Sequence, residues 1–145
     1  MKLTPEMLIG DLETFGFLFE ALVERDLKIY ASSFGANLYH YQDYNGKEID
    51  AVIELSSGEW CGFEIKLGAN QIDDAAKNLL SINEGFKADG HPAKILCVIC
   101  GMSNAAYKRE DGVYVVPITS LKDWFVIAKA HNTAYRIVLK AFVDE

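Results

Sequence analysis

Hydrophobic and polar positions change period several times along the chain, and each change marks an element. From residue 12 to about residue 31 the spacing is helical, and projection at 100° per residue gathers Leu12, Phe15, Phe19, Leu22, Val23, Leu27 and Tyr30 on one face. Residues 1–11 read as a short lead-in, with Pro5 suited to a helix start. Asp26 falls inside the apolar sector, and exposure at the helix end is the one reason the pattern offers for it.

The period then drops to two. Over residues 36–43, Leu38, His40 and Gln42 alternate with Tyr39, Tyr41 and Asp43, as on a half-exposed strand. Asn45-Gly46 is a strong tight-turn signal. Residues 48–55 and 60–67 form two further strands, joined through Ser56-Ser57-Gly58. Alternation puts Ile49, Ala51, Ile53 and Leu55 on one face of the first, opposite Asp50, Val52 and Glu54. On the second, Cys61, Phe63, Ile65 and Leu67 oppose Trp60, Gly62, Glu64 and Lys66.

A second helix is predicted over residues 71–87, with Asn70 as N-cap, Asp73 in the first turn, and Ile72, Ala76, Leu79, Leu80 and Phe86 buried. After an exposed loop at residues 87–92, residues 94–100 form a wholly apolar strand of the kind covered on both faces. SNAAYKREDG reads as a loop or frayed helix, and VYVVP (113–117) as a fifth strand at a sheet edge, ending at Pro117. A helix over residues 120–131, capped by Thr119 or Ser120, precedes a tail that alternates like a strand. Helix, three-stranded meander, helix and strand together predict an α/β domain with a mixed sheet flanked by helices.

Candidate chemistry lies in DAVIELSSGEWCGFEIK, residues 50–66. Glu64 and Lys66 are neighbours on one strand face, and the hairpin can bring Asp50 alongside them. Two converging carboxylates repel, so they favour a shared proton or a shared cation. Oxygen ligands suit Mg²⁺ or Mn²⁺, which keep several waters beside one or two carboxylates. An adjacent lysine can hold a phosphate, orient a water or offset leaving-group charge. The competing reading is an i, i+2 surface ion pair, with Asp50 merely opening the preceding strand. Glu54 shares the predicted face of Asp50 but lies four residues on, roughly 13 Å away at strand rise, toward the hairpin end. His40 has no companion at metal-ligand spacing and reads as an ordinary strand residue.

The ordered set FGFLFEALVERDL (15–27), LYHYQDYNGKEIDAVIEL (38–55), GEWCGFEIKLG (58–68) and GVYVVPITSL (112–121) resembles the PD-(D/E)XK nuclease superfamily. Within it the chain is similar to the DUF4143 domain, usually found at the C-terminus of prokaryotic AAA-type ATPases. The likeness covers roughly residues 10 to 127. It implies a restriction-endonuclease-like core and metal-dependent hydrolysis of phosphodiester bonds. In that reading Asp50 and Glu64 ligate Mg²⁺ or Mn²⁺, the Ile65 carbonyl is a third ligand, Lys66 is catalytic, and Glu20 is an accessory acid. Gln71 and Lys77, at the start of the helix after the motif strand, are candidates for phosphate contact. The resemblance also implies two other roles, a catalytically silent accessory domain partnering an AAA-type ATPase, and a defence-linked component. It leaves a homodimer open.

Composition qualifies this picture. The chain has 145 residues, 50% of them hydrophobic, enough for one core, so residues 1–145 are expected to form a single domain with 132–145 as a C-terminal extension. No stretch approaches the ~18–20 apolar residues of a membrane span, and the N-terminus lacks a secretory pattern, so a cytoplasmic location is expected. Three cysteines argue against a disulfide framework, and Cys97 and Cys100 sit in an apolar run that marks them as core. A net charge of −7 gives a nucleic-acid partner no support, since phosphate binding normally leaves a basic footprint and KRE at 108–110 is the densest cluster here. There is no phosphate-binding G-x-x-x-x-G-K-[ST] loop, no G-x-S-x-G elbow and no His/Cys cluster for zinc.

Overall fold

In the computed structural model of the protein, residues 4–33 and 35–120 are described. A short helix α1 (Pro5–Gly10) leads into α2 (Leu12–Ser33). Asp11 caps α2, its carboxylate accepting the Thr14 N–H at 3.1 Å and the Thr14 hydroxyl at 2.6 Å. Three strands follow, β1 (Asn37–Gln42), β2 (Glu48–Glu54) and β3 (Trp60–Lys66), paired antiparallel as a meander. Asp43 closes the first turn by accepting the N–H groups of Asn45 and Lys47, with Gly46 at φ 78°. The second turn closes through Leu55 N–H to the Glu59 carbonyl at 2.8 Å. Gly58, at φ 85°, supplies its left-handed residue.

From β3 the chain passes through a 3₁₀ turn (Ala69–Gln71) into α3 (Ile72–Ala88) and then β4 (Ile95–Cys100), which runs parallel to β3. Strands β5 (Tyr107–Lys108) and β6 (Tyr114–Pro117) complete a six-stranded mixed sheet of order β1-β2-β3-β4-β6-β5. The predicted α/β architecture with a flanked mixed sheet is therefore what forms.

Helices cover both faces. Val23, Leu27 and Ala31 of α2 pack on Ala51, Ile53, Cys61, Phe63, Ile65, Cys97 and Ile99. On the other face, Ile72, Ala75, Ala76, Leu79 and Ile82 of α3 pack on Trp60, Leu96, Val98, Cys100 and Val115. β4 is buried at every position because it lies between these layers. Its two cysteines, and Cys61, are buried free thiols, and burial pushes Cys61 up to about 12 and Cys97 higher still.

Four expectations need correction. VYVVP is an interior strand, because the two-residue β5 pairs outside it and takes the edge. Leu12 and Leu22 are exposed, since the buried face of α2 turns through Val23, Leu27 and Ala31. Asn70 does not cap α3: it sits within the 3₁₀ turn, and Gln71 occupies the cap position without a side-chain cap bond. Ile49 packs on the α3 side with Trp60 and Leu79, away from Ala51 and Ile53.

The last correction has a backbone cause. Tyr39 pairs with Val52 and Tyr41 with Ile49, so Asp50 and Ala51 together stand opposite His40. That extra residue is a β-bulge, and it resets the alternation of β2. The helix expected over residues 120–131, the strand-like tail and the 132–145 extension lie outside the described residues. Among the described residues no helix is long and apolar enough to cross a membrane.

Leu79 is fully buried at the centre of the α3 layer. Leu79→Ala should therefore lower unfolding free energy by about 2–5 kcal/mol in urea titration. A loss well below that range would show that this layer repacks around the cavity.

Candidate active site

The bulge and the β2–β3 register together assemble the motif residues. Ala51 pairs with Phe63, so one further step sets Asp50 opposite Glu64. There the ladder gives way to a side chain: Asp50 Oδ2 accepts the Ile65 backbone N–H at 2.8 Å. The same oxygen lies 3.4 Å from Lys66 Nζ, which is 3.2 Å from Glu64 Oε2. Asp50, Glu64 and Lys66 thus converge as their spacing suggested, around the lysine ammonium.

Glu64 is 4% exposed, the one buried charged residue among those described. Its second oxygen, Oε1, accepts from Asn78 Nδ2 at 3.1 Å. Asn78 Nδ2 also donates to the Glu48 carbonyl at 2.7 Å, tying α3 to the start of β2. Burial, and then the neighbouring Asp50 carboxylate, push Glu64 up to about 7, against the opposing pull of Lys66 and Asn78. Burial draws the Lys66 ammonium down, but Asp50 and Glu64 outweigh it and hold the group above its ordinary range. Lys66 is therefore a fixed cation, while Glu64 titrates close to neutrality.

Two clefts open at this point. The larger, of ≈ 610 Å³, has Asp50, Glu64 and Lys66 on one wall and Gln71, Asp74 and Asn78 on the other. The second, of ≈ 430 Å³, runs along the start of α2 and includes Glu20, Ile65, Lys66 and Gln71. Glu20 thus borders Lys66 from the α2 side. Burial, then Asp50 and Glu24, raise its carboxyl above the usual range. Glu24 is raised as well, by burial and Asp50. Asp50, Glu64 and Glu20 therefore share the field of the Lys66 ammonium, and Glu24 adds to the negative side, an arrangement short of positive charge.

That shortage, with two carboxylates beside the Ile65 peptide, fits an oxygen-ligated divalent cation that keeps waters of its own. A protein cage is not present: among the described residues no three His, Cys, Asp or Glu side chains are grouped as metal ligands. His40 faces the Asp50 carbonyl and Glu48, and it opposes part of the shifts of Glu20 and Glu24. Glu54 lies at the hairpin end, paired with Trp60, as expected.

Of the two helix candidates, Gln71 lines both clefts and Lys77 lines neither. Asn78 was not legible beforehand. Its importance depends on where α3 crosses the sheet, and its one sequence signal is being a polar residue one position before buried Leu79. Arg109 of the KRE cluster is committed elsewhere, bonded to Asp73 at 2.6 Å and to Asp111 at 3.1 Å.

Comparison with known families gives one match: the domain of unknown function DUF4143, over residues 15–121. The chain belongs to that family. No curated protein and no solved structure matches it.

The raised Glu64 carboxyl carries a stability signature. Unfolded, it releases its proton near 4.5; folded, it holds it to about 7. Between those values the native state binds more protons, so stability falls as pH rises through the window. Glu64→Gln should accordingly melt higher than wild type above pH 7 and converge with it near pH 4.5. A variant less stable than wild type at alkaline pH would show that the ionised carboxylate is net stabilising through Lys66.

Proposed function

We propose that this DUF4143 chain has a restriction-endonuclease-like core of the PD-(D/E)XK kind and is a metal-dependent phosphodiester hydrolase acting on nucleic acid. The observation that carries this reading is the convergence of Asp50 and Glu64 on Lys66 at the wall of an open cleft. Asp50, Glu64 and the Ile65 carbonyl would hold Mg²⁺ or Mn²⁺. When bound, the ion supplies Lewis-acid polarisation of the phosphoryl group and offsets its charge.

The remaining work falls to the chain's own side chains. Lys66, kept cationic by its neighbours, orients the attacking water and stabilises the charge that develops on phosphorus. The water oxygen bonds to phosphorus as its O–H bond breaks, one ester P–O bond breaks, and the proton given up by the water is balanced by the one the leaving oxygen takes from solvent. Asn78 fixes the Glu64 carboxylate so that Oε2 stays toward Lys66. Glu20, in the smaller cleft that Lys66 also lines, orders water on the α2 side.

A second reading, an accessory domain that partners an AAA-type ATPase without cleaving anything, is favoured by a different observation. Leu18, Leu22 and Ile29 form an exposed apolar stripe on α2, opposite its core face. Such a stripe suits contact with another protein.

Calorimetric titration with Mn²⁺, paired with cleavage assays on single-stranded, duplex and branched DNA and RNA, separates the two. Asp50→Ala should lose both Mn²⁺ binding and cleavage. Lys66→Ala should keep the metal and lose cleavage by ~10²-fold or more. Cleavage that survives Asp50→Ala would overturn the assignment, and no Mn²⁺ binding at millimolar concentration would favour the accessory module.

A further inference from the structure

The two clefts that meet at Lys66 differ in chemistry. The larger one carries Glu48, Asp50, Glu64 and Asp74 against Lys47 and Lys66. The smaller one is more apolar, with Leu12, Phe17 and Met102 in its walls beside the carboxylates of Glu13 and Glu20. The three apolar residues are well exposed, Phe17 at 66%. A large aromatic ring left open to solvent in a cleft that Lys66 also lines calls for a ligand with both a flat apolar face and a negative group.

We propose that the smaller cleft seats a nucleobase, so that the substrate enters single-stranded, its base against Phe17 and its phosphate beside Lys66. This rests on the hydrolytic reading of Lys66 and adds to it the class of substrate.

Three features support the assignment. Gly16 lines the cleft half-buried, and an added Cβ there would meet no atom within 4 Å, so space remains next to Phe17. Gln71 spans both clefts; its Oε1 accepts the Gly68 N–H at 3.1 Å, which leaves the amide NH₂ as a donor for a phosphate or base edge. Charge supplies the third. With four acids against two lysines in the larger cleft, and −7 over the chain, phosphate neutralisation cannot drive tight duplex binding. Stacking is independent of net charge, and it requires a base that is not already stacked within a duplex.

The test is fluorescence anisotropy of the full chain, with calcium as the divalent ion, on labelled thymidine and uridine oligomers and on a matched duplex. Single strands should bind at least about tenfold more tightly than the duplex, and Phe17→Ala should weaken single-strand binding about tenfold. Phe17→Trp should retain it. Leu18→Ala, on the same helix but outside the cleft, should leave it unchanged. The thymidine and uridine arms distinguish DNA from RNA, and a response to Phe17→Ala in either supports the subsite. Equal or better duplex binding, no binding of any strand, or indifference to Phe17→Ala would overturn it. Asp50-dependent cleavage alongside any of those results would leave the hydrolytic reading standing. Phe17-dependent binding without Mn²⁺ binding would remove the hydrolytic reading and keep the subsite.

Discussion

Two carboxylates held side by side need a cation between them, and here the need is built into the backbone. The β2–β3 register sets Asp50 across from Glu64, and the bulge opposite His40 fixes which way Asp50 leaves its strand. With the Ile65 N–H bonded to Asp50, that carboxylate cannot swing away without losing the hydrogen bond, and Asn78 holds Glu64 from the α3 side. Lys66, two residues beyond Glu64 on the same face, provides the positive charge. Hairpin, bulge and helix α3 are all required to keep these three groups within 3.4 Å contacts.

The surrounding charge makes the cluster unusual. Glu20 and Glu24 approach from α2 and add to the negative field, and both are raised partly by Asp50. His40 offsets part of that field, while Arg109 is used elsewhere, binding Asp73 and Asp111, far along the sheet order from β2. A site so poor in positive charge suits a mobile divalent cation. It is a poor surface for tracking a polyanion by charge alone.

Much of this arrangement could be read from residue types. Period-two alternation located β2 and β3, and the Gly58 turn fixed their pairing, so the convergence of Asp50, Glu64 and Lys66 followed from spacing. Local rules failed where a partner strand or helix decides the outcome. The bulge arises from pairing with β1, so alternation within β2 misplaces Ile49. β6 looked like an edge because its outer neighbour, β5, is two exposed residues too short to show a period. Asn78 acquires its role from the way α3 lies across β3, which helical periodicity cannot reveal. Leu12 belongs to the apolar helix pattern, yet with Phe17 it lines an open cleft, since the core is covered by Val23, Leu27 and Ala31.

Energetics separate the two readings of the Asp50–Lys66 stretch, surface ion pair and functional cluster. A surface pair would leave each group near its ordinary titration and cost little. Glu64 instead is buried and raised to about 7, so ionising it at neutral pH works against folding. Asn78 and Lys66 recover part of that cost, yet an apolar side chain in the same position would fold without it. Such local conflict, held in place by two well-packed layers of core, is characteristic of functional sites. A divalent cation binds the ionised form, so its binding would offset the electrostatic penalty that the empty fold carries. The electrostatic cost of the cluster and the cation binding proposed for it would therefore be two expressions of the same free energy.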